Sequence, residues 1–122
     1  MPSACRNMTS AFIKGAFMHL PEELKKNPEI DVPIEGIRGW KVGGAQGLVV
    51  FFEISPGSVL PEHSHCYQWG YVIDGEIELT IGGKKQVYRR GDSYTIPEGV
   101  PHSGVIKNGC LAMDYFSDPN RY

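Results

Sequence analysis

From Ile34 onward the chain alternates apolar and polar side chains with the period of two that belongs to strands, not the 3.6 of helices. The clearest run is EIELTI, where Ile77, Leu79 and Ile81 alternate with Glu76, Glu78 and Thr80 before Gly82-Gly83 ends it. Upstream, Ile37 to Val42 and Leu48 to Ile54 are short apolar runs separated by the glycines of GGAQG, which is hairpin punctuation. LVVFFEI shows little alternation, so cover on both faces is expected, as in a two-layer sandwich or at a dimer contact. Downstream, strands are predicted over about Gln86 to Arg89, Ser93 to Ile96, Ser103 to Ile106 and Cys110 to Phe116. Asn108-Gly109 joins the last two and is the dipeptide that most favours a two-residue type I′ turn. The pattern predicts nine or ten strands with almost no helix, an all-β jelly roll.

Before Ile34 the pattern is different. Residues 1 to about 11 mix small and polar types without a period, as in a frayed tail, and AFIKGAFMHL is apolar enough to lie against something. In PEELKKNP, Pro21 suits a first helical position, with acids in the first turn and lysines later, the sense the helix dipole favours. One or two turns fit before Pro28. The division expected is an N-terminal extension over residues 1–33 with a short helix, then a barrel domain over 34–122.

Composition narrows the partners. A length of 122 residues suits one domain with a single core, and a net charge of −2 leaves no dense basic face. Lys84-Lys85 and Arg89-Arg90 are short pairs flanking a turn, so nucleic acid is not an expected partner. No stretch approaches the roughly 20 apolar residues needed to cross a bilayer. Three cysteines, Cys5, Cys66 and Cys110, lack framework spacing, and the N-terminus lacks a secretory pattern; a cytoplasmic protein with free thiols is expected.

The candidate chemistry lies in two motifs. His63 and His65 are two apart, so on a strand both imidazoles face the same way; Gly91 to His102 supplies another histidine behind a Gly/Pro-punctuated strand. The spacings G-x5-H-x-H from Gly57 and G-x5-P-x4-H from Gly91 resemble the two signature motifs of the cupin family. That resemblance implies a double-stranded β-helix, or jelly-roll barrel, and a homodimer made through N-terminal strands. It also implies a divalent transition metal, Zn, Ni, Mn, Fe or Co, held by His63, His65, His102 and one further ligand of the first motif. Counting seven back from Gly75 makes that ligand Gln68, where cupins usually carry Glu after a longer link. An HxHC set including Cys66 is the alternative, although Cys66 has the opposite strand parity to the histidines.

Three imidazoles and an amide are neutral donors, so an M²⁺ ion would keep its full charge and favour anionic ligands. The expected function is therefore Lewis-acid chemistry on a small carbonyl-bearing anion such as a sugar acid, of isomerase, lyase or hydration type. The Gln68 variant resembles cupins that handle unsaturated uronates from pectin. The alternatives are a ligand-binding or sensor cupin without turnover and an iron-dependent dioxygenase. If Asn108-Gly109 makes a simple hairpin, Tyr115 lies beside His102 and becomes the candidate proton donor; otherwise it is ordinary core. With Gln68 inward, Gly70 is also inward and is expected to leave space for substrate, while Trp69 and Tyr71 face away. His19 is expected to be an ordinary polar residue.

Overall fold

The computed structural model describes residues 18–122, so Cys5 and most of the apolar leader fall outside the described residues. Eight strands are formed among them: β1 (Ile37–Gly44), β2 (Gly47–Ile54), β3 (Ser58–His63), β4 (Gln68–Ile81), β5 (Lys84–Arg89), β6 (Ser93–Ile96), β7 (His102–Ile106) and β8 (Cys110–Phe116). They follow one path, β1-β2-β8-β4-β7-β3, with β5 and β6 also paired to β4. The predicted helix is a single 3₁₀ turn, Leu24–Lys26.

The count is lower than the nine or ten expected because β4 runs unbroken for 14 residues and serves both halves of the fold. Its first half pairs with β6 and β8, and its second half with β5 and β7. The change of partner comes at a register shift between Val72 and Asp74, just before Gly75 at φ 78°. A β-carbon on Gly75 would also collide with the Gly109 carbonyl, so this bend requires glycine twice over.

Side chains along the central strands sort by parity, the inward set of β4 switching from even to odd positions across its register shift. Leu48, Val50, Phe52 and Ile54 of β2 point inward with Val72, Ile77 and Leu79 of β4 and with Cys110, Ala112 and Phe116 of β8, forming the main core. The outer face of the β1-β2-β8 sheet is also apolar. Trp40 and Leu111 bury there against Leu20, with Met18, Leu24, Phe51 and Ile73 around them. This explains the weak alternation of LVVFFEI, whose outward Phe51 packs against that cluster and whose outward Glu53 is buried. Glu53 pins that segment: it is 4% exposed, accepts the Leu20 N–H at 2.8 Å and meets Lys25 Nζ at 2.9 Å. His19 Nδ1 lies 3.4 Å from the same carboxylate, on the outside of the sheet. Beyond it, Pro28 and Ile30 hydrogen-bond to β1 and cover its edge.

The Asn108-Gly109 turn does not close a hairpin. Type I′ needs a positive φ at both central residues, and only Gly109 has one. β7 pairs with β3 and β4, while β8 pairs with β2 and β4, so the turn carries the chain between the two halves.

Candidate metal centre

His63 is the last residue of β3 and stands in register with His102, the first residue of β7. His65 lies just past the end of β3 instead of on it. It is held by the second motif, because its carbonyl accepts the Gly99 N–H at 2.8 Å. The Pro101 carbonyl accepts from Gly82 at 2.9 Å and fixes the approach to His102. The Gly/Pro punctuation therefore serves to bring segments 37 residues apart onto one point.

The three imidazoles converge. Their ligating nitrogens lie within 4.8 Å of one another, and the Nε2 atoms of His65 and His102 are 3.2 Å apart. Each Nδ1 lies 2.9 Å from a backbone carbonyl: Pro61 for His63, Cys66 for His65 and Val100 for His102. A carbonyl can only accept, so each ring carries its proton on Nδ1 and turns an Nε2 lone pair to the common centre. Three lone pairs facing one another are the donor set a divalent cation requires. Burial, followed by the charges of Arg121 and the neighbouring rings, lowers the His65 pKa to about 4. His102 is lowered for similar reasons, burial first. Both stay neutral, as ligands must be.

Gln68 opens β4, is buried and lines the same cavity. Its amide hydrogen-bonds the carboxylate of Asp114. Because the N–H donates, Oε1 remains as the free donor atom. A glutamate here would set a second carboxylate against Asp114, which gives the amide a physical reason. Cys66 does not belong to the imidazole group; its side chain packs against the core.

Asp114 is the candidate site residue that sequence reasoning missed. It is 4% exposed, lines the cavity and accepts the Tyr94 hydroxyl at 2.6 Å. Burial pushes its pKa up to about 7, against the opposing pull of the Tyr94 and Gln68 hydrogen bonds. Tyr94 of β6, Gly70 of β4 and Asp114 of β8 are neighbours in register. A β-carbon on Gly70 would collide with both the Tyr94 ring and Asp114 Oδ1. The space at Gly70 is therefore filled by this pair, not left for substrate as expected. The available clue was the inward set Cys110, Ala112 and Phe116, which places Asp114 among them by alternation.

Tyr115 corrects another expectation. In register with Val49 and Trp69, it faces outward, and its hydroxyl donates to the Gln46 carbonyl at 2.9 Å. The structure does not bring it to His102, because the hairpin that would have done so is not formed.

Around these groups is a cavity of about 330 Å³, within the range of small-molecule sites. Arg121 and Tyr122 reach it from the segment after β8, and the Arg121 guanidinium lies over the Tyr122 ring at 4.4 Å. Arg121 Nε is buried without a hydrogen-bond partner.

Comparison with known proteins agrees with this geometry. The family described as "Cupin domain" matches residues 50–109. An RmlC-like cupin from Shewanella frigidimarina superposes with a TM-score of 0.71 at 26% identity, covering 87% of this chain and 92% of that one. KdgF from Halomonas sp. superposes at 0.70 with 27% identity, covering 86% and 93%. Quercetin 2,3-dioxygenase of Bacillus subtilis is 35% identical over 57 residues, which is 45% of this chain but only 17% of that protein.

Proposed function

Starting from the premise that this chain is a small cupin domain, we propose that it is an enzyme using a divalent transition metal on a small anionic metabolite bearing a carbonyl, such as a sugar acid. The metal would be held by His63, His65, His102 and Gln68, within a barrel domain over residues 34–122 that carries 1–33 as its extension. The observation that carries this reading is the convergence of three imidazoles in a cavity that also holds the buried carboxyl of Asp114. When bound, such an ion supplies Lewis acidity toward a carbonyl oxygen.

The chain's own residues supply the rest. Burial raises the Asp114 carboxyl to about 7 in the metal-free chain; a bound cation would draw it down again, so Asp114 is the cavity's candidate general base. Tyr94 orients that carboxyl through its hydroxyl. Arg121 adds a fixed positive charge to a neutral donor set, which supports a carboxylate-bearing substrate. A protonatable group inside the cavity favours turnover over a sensor role. The reaction type is isomerisation, lyase or hydration chemistry, the classes that proton transfer beside a Lewis acid serves.

His63→Ala and His102→Ala test the ligand set. Each is expected to remove stoichiometric metal, measured by elemental analysis, while circular dichroism still reports a folded β-domain. Full metal content in either would remove that residue from the site. The similarity to quercetin 2,3-dioxygenase supports a second reading, oxygen activation at iron. The absence of a carboxylate from the proposed donor set weighs against it. Oxygen uptake by the iron-loaded protein with a flavonol would reverse that preference.

We further take the protein to be a cytoplasmic homodimer. Cys66 and Cys110 are free thiols, as a reducing compartment allows. Val42, Tyr67 and Tyr71 are exposed apolar side chains outside the barrel, where a second copy could bury them. No helix among the described residues is long and apolar enough to cross a membrane. A monomeric mass by sedimentation at micromolar concentration would remove the dimer.

A further inference from the structure

The cavity is chemically two-sided. The imidazoles, Gln68, Asp114, Arg121 and the exposed Glu62 are its charged and polar groups, and Tyr94 is already engaged with Asp114. Much of the remaining lining is hydrocarbon, including Val32, Ile34 and Leu60, which are only partly buried. Phe52 adds an aromatic face. Val32 and Ile34 stand on the segment leading into β1, which the Ile37 N–H to Ile34 carbonyl bond at 3.2 Å and the Ile30 N–H to Gly39 carbonyl bond at 2.9 Å hold in place.

Such a wall discriminates. A hydroxyl set against Val32, Ile34 and Leu60 would give up water without gaining a partner, which weakens binding. A methylene in the same place gains by leaving water. We infer that the site selects an amphiphilic anion, with its carboxylate and adjacent oxygen at the imidazoles and a hydrocarbon segment along Val32, Ile34 and Leu60. A sugar acid qualifies only when a deoxygenated edge faces this wall. The inference rests on the metal-centred reading above and specifies what that reading leaves open: the substrate's far side.

The test is calorimetric titration of the zinc-loaded, full-length protein with pyruvate, 2-oxobutanoate, 2-oxopentanoate and 2-oxohexanoate, with galacturonate as the polyhydroxylated comparison. Affinity should rise about fourfold for each added methylene, the equivalent of ~0.8 kcal/mol, and galacturonate should bind more weakly than 2-oxopentanoate. Ile34→Asn should flatten the series, and Ile34→Leu should preserve it. If Ile34→Asn does not fold, Val32→Thr, which keeps the side-chain shape and adds a hydroxyl, should flatten it in part. A flat series in the wild-type protein, or galacturonate binding tighter than every 2-oxo acid, overturns the inference. Pyruvate binding that disappears when zinc is stripped supports the metal-centred reading whatever the slope, whereas binding of no 2-oxo acid by the fully loaded protein overturns both.

Discussion

Asp114 and His65 sit in one cavity and move in opposite directions with burial. The Asp114 carboxyl is held at about 7 in the folded chain, against ~3.9 when unfolded. The folded state binds the extra proton between those values, so its stabilising contribution is full below about pH 4 and is lost as pH rises through 7. His65 is drawn from 6.5 to about 4; its contribution is full above about 6.5 and is lost as pH falls toward 4. Between pH 4 and 6.5 the two slopes oppose each other. In the metal-free protein, Asp114→Asn should remove one of them, so its urea-unfolding stability relative to wild type should climb from pH 4 to 7. Parallel curves across that range would mean that Asp114 does not take up the proton. The same substitution should lower kcat by about 10²-fold or more if the carboxyl transfers a proton in turnover. Gly70→Ala is expected to destabilise by about 1–3 kcal/mol or more in urea melts, because its methyl would displace Tyr94 or Asp114.

At the scale of elements, alternation is a local property, and the strands it marked were legible. Ser93–Ile96 and Cys110–Phe116 begin and end where the pattern changes. Which strand pairs with which is a non-local choice, and a glycine-bearing turn does not settle it. A β7–β8 hairpin would have put Tyr115 inward; with β8 paired to β2 and β4, the opposite set, including Asp114, faces the cavity. That is a one-residue change of parity with the catalytic candidate at stake. The converging histidines were legible because their spacing is fixed by short turns, whereas the Glu53 clasp joins residues 33 apart and left no pattern. Glu53→Gln would leave Lys25, 16% exposed, facing a neutral amide. It should cost roughly 1–3 kcal/mol in chemical denaturation. Proteolysis should then cut first within residues 18–30, and a digestion pattern unchanged from wild type would show that apolar packing alone holds the segment.

Across the whole molecule, the placement of β4 ties the pocket to the fold. Gln68 is its first residue, and its last, Ile81, is in register with His102. Its middle supports Tyr94 and Asp114 across Gly70 and bends at Gly75. A cation gripped by Gln68 and His102 would thus fasten the two ends of one strand together, much as a buckle closes a belt. Fastening of that kind predicts a specific pattern of amide exchange: zinc should slow deuterium uptake along all of Gln68–Ile81, the far end included, more than in β5 at the rim. Protection confined to the few amides nearest the imidazoles would mean that the ion decorates the barrel without cinching it.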